Sequence, residues 1–202
     1  TIGRTNVDGR LGVASKIEDI TDIDAKGIAA LDDVQDGFAA DAWLANWDVI
    51  GNGGPQALNI KRLADGSAFR IDTGATMRFR AQGGIKAFPA DKVNELETLR
   101  KTDVAQEIVF GDIGDAKIVQ GVARIVAIND DDIRRVVKET MGDDADDLAE
   151  VLIGRKNFLA NKYKKELAAL NKKTKPKPVK DLEVTPEEYD KVVAGRGNGY
   201  SQ

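Results

Sequence analysis

Three oxygen-bearing side chains stand in an order that suits phosphoryl transfer: Asp48 in DAWLANWDVIG, Asn59 in ALNIKRL and Asp72 in FRIDTG. That reaction needs a carboxylate near the attacking hydroxyl, with an asparagine and an aspartate to hold magnesium against the nucleotide phosphates. The sequence has no histidine and no cysteine. The commonest general base, the commonest transition-metal ligand, a thiolate nucleophile and disulfides are therefore excluded. Chemistry in this chain must run on carboxylates.

Positioning such a site falls to a helix end and a hairpin. Ile28, Leu31, Val34, Phe38, Trp43, Leu44 and Trp47 recur at spacings near three and four, with Gly27 and Gly37 as weak points. They predict one or two amphipathic helices that stop near residues 46–51. Trp43 and Trp47, four apart, read as core anchors on that helix. After a GNGGPQ loop, ALNIKRL and SAFRIDTG flank Asp65-Gly66 as the strands of a two-stranded hairpin. A hairpin brings Asn59 and Asp72 near each other, and the preceding loop could carry Asp48 over them. Taken singly, these residues also suit structural posts: Asn46 and Asp48 at a helix end, Asp72 before the Gly74 turn, Asn59 on an exposed strand.

At these positions the sequence resembles the catalytic lobe of atypical protein-kinase-like enzymes, the group that includes HipA-type kinases and phosphatidylinositol kinases. The pattern reads Asp41, Asn46 and Asp48, then Asn59-Ile60, then Ile71-Asp72-Thr73-Gly74. The chain is also similar to kinase-like domains carried in phage and prophage multidomain proteins, through NWDVIG, RIDTG and the FRAQGG of residues 79–84. Over residues 10–165 the resemblance implies a kinase C-lobe. It implies Asp48 as base or substrate-orienting acid, Asn59 and Asp72 as ligands of magnesium and its nucleotide, and Asp41 with Asn46 as loop-bracing groups. The implied cofactors are Mg2+ and ATP.

Two features depart from that pattern. The interval from Asp48 to Asn59 exceeds the roughly five residues of ordinary protein kinases, and no G-x-G-x-x-G loop followed by a strand lysine precedes the first helix. The expected partner is therefore a small lobe or a larger parent chain that supplies it. A second expectation, from a different class, is a non-catalytic structural or interaction component of a phage virion or prophage protein, set among other phage structural proteins.

Composition frames both expectations. With 202 residues and 42% hydrophobic content the chain can bury a core, and a net charge of -4 gives no overall nucleic-acid footprint. No apolar run approaches the roughly 18 to 20 residues that span a bilayer, and no basic-then-apolar leader opens the sequence. The expected location is the cytoplasm or a phage virion, with no membrane. A start at Thr1 suggests a proteolytic product or excised domain.

The expected fold class is α+β, a small β-hairpin element plus a helical bundle. Residues 1–20 form a strand and connection ending a small lobe, and 21–170 a C-lobe-like domain. Residues 171–184 form a basic, proline-containing linker, and 185–202 a short helix with Thr185 as cap and Pro186 at its first position, then a tail. Helices are predicted from Pro89 through ADKVNELETLR, along a face of Ile118, Val122, Ile125 and Val126, from an Asn129 cap, and along one long stretch over residues 143–170. The acidic clusters at 129–132 and 143–147 lack EF-hand spacing and read as acids at helix N-termini. The basic stretch 155–180, from Arg155 and Lys156 to Lys180, could hold nucleic acid, but a solvated helix face and linker fits it better.

Overall fold

A computed structural model describes residues 2–7, 10–15, 19–31, 33–51, 58–81, 83–141 and 145–171. The fold is α+β. Strands β1 (Ile2–Val7) and β2 (Arg10–Ser15) pair antiparallel, from Ile2 opposite Ser15 to Val7 opposite Arg10. This hairpin belongs to one compact unit, and Ile20–Lys175 is another. The sequence predicts a strand at β2 alone. The predicted linker and C-terminal helix beyond residue 171 lie outside the described residues, as does the GNGGPQ loop after Gly51.

Within Ile20–Lys175 a three-stranded antiparallel sheet runs in the order β3 (Ile20–Thr21), β4 (Ile60–Leu63), β5 (Ala68–Arg70). The β4–β5 hairpin turns where predicted. Gly66 takes φ 89°, and the Asp65 carboxylate accepts from the Ser67 amide at 3.0 Å and hydroxyl at 2.6 Å. Strand β3, too short to show a period, has no sequence signal.

The helices are α1 (Ala25–Ala29), α2 (Phe38–Trp43), α3 (Glu95–Thr98), α4 (Val104–Phe110), α5 (Asp115–Val126), α6 (Asp130–Met141), α7 (Asp146–Lys162) and α8 (Lys164–Asn171). The apolar rows of α2, α5 and α7 meet in one core. Phe38 packs on Phe110 at 5.1 Å between ring centroids, in the same buried core as Val34, Val122 and Leu159. Helices α2 and α5 approach closely at Gly121, where a Cβ would stand 2.6 Å from that of Ala39.

The apolar row over residues 25–47 forms two helices, α1 and α2, with a 3-10 turn at Val34–Gly37 between them. Two predicted helices differ and one observed helix is new. No helix begins at Pro89; its carbonyl accepts from Arg155 instead, and helix forms only at α3. Helix α4, which the sequence reading omits, is capped by Asp103, whose carboxylate accepts from the Gln106 amide at 2.8 Å. The long C-terminal helix breaks at Tyr163, which leaves helical geometry at φ -106°, ψ 22°.

Candidate active site

The site begins where α2 ends. Leu44 closes the helix and Ala45 adopts φ 50°, the left-handed conformation usually given to glycine. The amide of Asn46 donates to Asp41 O at 2.8 Å and that of Ala45 to Ala42 O at 3.1 Å, which completes a Schellman motif. Ala45 is fully buried, so the cost of about 1–2 kcal/mol for a left-handed L-residue is met by its packing. This turn corrects the reading of both tryptophans as core. Trp43 stays in the core and donates to Leu152 O at 3.0 Å, whereas Trp47, beyond the turn, is thrown outward to 42% exposure.

Asp48 follows, half-buried. The side-chain amide of Asn59 donates to Asp48 O at 2.7 Å and to its Oδ2 at 3.3 Å, so the two residues meet across the intervening loop. Asn59 sits one residue before β4, and its carbonyl accepts from the Ile71 amide at 2.8 Å. Asp72 is next in the chain, exposed, with φ 48°, and opens a 3-10 turn at Thr73–Ala75. Asn59 and Asp72 therefore share the open end of the β4–β5 hairpin, opposite its Asp65-Gly66 turn.

Asp41 and Asn46 lie beneath this end. Asn46 donates to Asp41 Oδ1 at 3.4 Å, and Arg70 on β5 pairs with Asp41 Oδ2 at 2.8 Å. Burial pushes the Asp41 carboxyl above the usual carboxylate range, with Arg70 and the Asn46 bond pulling against it. The pair joins the end of α2 to the strand that leads into Asp72. Gly37 leaves room for it: a Cβ there would stand 2.5 Å from the Arg70 guanidinium.

Above Asp48 lies an open cleft of about 480 Å³ lined by Trp47, Asp48, Ala75, Arg80, Ala81 and Gly84. Part of its wall is the FRAQGG segment. The Arg80 amide donates to Gly84 O at 2.7 Å, and Gly83 takes φ 81°. The Arg80 guanidinium lies 5.5 Å over the Trp47 ring. Trp47 Nε1 donates to Glu95 Oε1 at 3.1 Å, and Gln106 donates to Trp47 O at 3.0 Å. Buried Lys86 donates to Ala45 O and Ala75 O. Its pKa falls to about 8 through burial, with Glu95 opposing and Arg155 and Arg80 adding to the fall.

Sequence reasoning misses Lys86, Glu95 and Arg155. For Arg155 a signal existed: it takes an apolar slot in the row Leu148, Leu152, Arg155, Leu159 along α7. The basic stretch 155–180 is corrected at its start, because Arg155 and Lys156 are buried. Arg155 donates to the carbonyls of Ala42, Trp43, Pro89 and Lys92, and Lys156 to that of Ile128. Neither side chain is available to a phosphate backbone. Lys162, Lys164 and Lys165 are exposed, and residues 172–180 lie outside the described ones.

The carboxylates of Asp48 and Asp72 and the amide oxygen of Asn59 are hard donors of the kind magnesium takes. Among the described residues no three carboxylate, imidazole or thiolate groups gather around one metal-sized gap. A small number of protein oxygens nonetheless suits Mg2+, which keeps waters and binds through one or two carboxylates plus substrate phosphates. Also among the described residues, no helix is long and apolar enough to cross a membrane. Comparison with protein-family models, curated proteins and solved structures yields no match.

Proposed function

We propose that this chain carries the larger lobe of a Mg-ATP-dependent phosphotransferase of the atypical kinase type, completed by a nucleotide-gripping small lobe from elsewhere. The observation that carries the reading is the hydrogen bonding of Asn59 to the main chain and carboxylate of Asp48, with Asp72 beside Asn59 at the open hairpin end. Asp48, at the floor of the cleft, orients the acceptor hydroxyl and takes its proton. Asn59 and Asp72 are the residues that would hold Mg2+, which when bound to the nucleotide neutralises charge developing on the transferred phosphoryl group. Trp47 and Arg80 line the cleft beside Asp48. Asp41, Asn46 and Arg70 keep the end of α2 and strand β5 in register beneath these groups.

A second reading is a non-catalytic structural component of a phage particle or prophage protein. It rests on the resemblance to kinase-like domains of phage and prophage proteins through NWDVIG, RIDTG and the FRAQGG of residues 79–84. Titrating the chain with ATP in the presence and absence of magnesium, followed by Trp47 fluorescence, separates the two. Phosphotransferase ancestry with a working metal site predicts magnesium-dependent binding that Asp72→Asn abolishes. A wild-type chain that binds no nucleotide under either condition removes the first reading for this chain and leaves the second.

A further inference from the structure

Lys86 stands at the junction of two backbone segments. It is 4% exposed, and its Nζ donates to Ala45 O at 2.6 Å and to Ala75 O at 2.5 Å, 4.8 Å from the centroid of the Trp47 ring. Ala45 is the left-handed residue from which Asn46, Trp47 and Asp48 depart, and Ala75 ends the 3-10 turn that Asp72 begins. A second tie runs alongside, from the amide of Met77, itself at φ 54°, to Leu44 O at 2.5 Å. The three non-glycine residues with positive φ among the described ones, Ala45, Asp72 and Met77, thus lie in the segments joined here. Such backbone persists only where its surroundings over-determine it, and bonds from an ammonium are roughly twice as strong as neutral ones.

We propose that Lys86 is a positioning residue of this site: by drawing the Ala45 and Ala75 carbonyls onto one ammonium, it fixes the Asp48 loop against the Asp72 turn. It acts through their main chain. The clamp stands on geometry alone, and its consequence for nucleotide rests on the phosphotransferase reading. The charged groups around the ammonium set when it lets go. Glu95 on α3 favours the charged form, while burial, Arg155 on α7 and Arg80 in the cleft wall oppose it. Loss of its proton near pH 8 removes the charge from both carbonyl bonds and from the Trp47 contact.

The test uses the full chain labelled with 5-fluorotryptophan and followed by 19F NMR from about pH 6.5 to about 9.5, a window that spans the Lys86 titration and stays below the ordinary lysine value. The Trp47 resonance, assigned with Trp47→Phe, is expected to shift with a midpoint near 8, while Trp43, bonded to Leu152 O, stays still. Lys86→Met and Lys86→Arg both abolish the shift. In a Mg-ATP titration Lys86→Met weakens binding about tenfold or more, whereas Lys86→Arg, which keeps charge and donors, stays within about threefold of wild type. A Trp47 resonance that has the same position in wild type and Lys86→Met at about pH 6.5, or that titrates unchanged in Lys86→Met, overturns the clamp, and one that is flat in the wild type overturns its release near pH 8. If the resonance behaves as expected and wild type binds no magnesium nucleotide, the phosphotransferase reading fails and the clamp stands. Should Lys86→Met not fold, the wild-type and Lys86→Arg spectra decide.

Discussion

Arg155→Met tests how the site is anchored to the core. Arg155 is fully buried and donates to Trp43 O at 2.8 Å, Ala42 O at 2.9 Å, Lys92 O at 2.9 Å, Pro89 O at 3.2 Å and Glu95 Oε2 at 2.8 Å. Its guanidinium also lies 4.4 Å over the Phe88 ring. Burial disfavours its charge and lowers its pKa, with Glu95 acting in the opposite direction, but an arginine stays protonated throughout the ordinary range. Methionine fills the space of the stem and donates nothing. Four carbonyls lose a donor, two of them at the end of α2 where the Schellman turn begins. The Glu95 carboxylate keeps Trp47 Nε1 as partner but loses its buried countercharge.

Removing one partner of a buried ion pair costs about 3–5 kcal/mol. The lost carbonyl bonds belong to the same event, so a total of about 4–5 kcal/mol is expected rather than their sum. For a chain of this size that corresponds to a fall in Tm of about 10–15 °C. Urea unfolding followed by far-UV circular dichroism reads the first figure and a thermal melt the second. The double variant Arg155→Met with Glu95→Gln, which removes the stranded charge, should recover about 1–3 kcal/mol relative to additivity. A single-variant loss below about 1 kcal/mol, or strict additivity in the double variant, would refute the argument that one buried cation ties α7 to α2 and α3.

Two further outcomes follow from close contacts and burial. Gly121→Ala places a methyl 2.6 Å from Ala39 Cβ, so α5 must move from α2, at a cost of about 1–3 kcal/mol by chemical denaturation; a neutral or stabilising result would show that the helices part freely. Arg70→Met leaves Asp41 buried without its countercharge and is expected to cost about 3 kcal/mol at neutral pH. The sign of its pH dependence is fixed by the raised pKa of Asp41. A carboxyl that holds its proton more tightly when folded favours the fold below the ordinary carboxylate value, and loses that contribution as pH rises through its folded value. Without Arg70 that folded value climbs further, so the deficit of the variant should shrink as pH falls below neutral, and urea midpoints with a deficit that stays constant across the acid range would contradict this.

Much of the fold around the candidate site could be read without coordinates. The absence of histidine and cysteine left the candidate site to oxygen donors, Asp65-Gly66 marked the turn of the β4–β5 hairpin, the apolar period of α5 marked its buried face, and Asn129 marked the start of α6. Such features are local, governed by residue type, turn geometry and helical period. Which residues stand together was decided by the tertiary fold. Trp47 has the spacing of a core residue, yet a left-handed Ala45, supported by the Schellman bonds and by Lys86, turns it into the cleft. Arg155 and Lys86 carry charges that local rules assign to the surface. They are buried because carbonyls distant in sequence, freed at a helix end and in tight turns, converge on them and replace the water they give up. Pairing of that kind joins groups from separate stretches of chain, so it exists only once those stretches have come together.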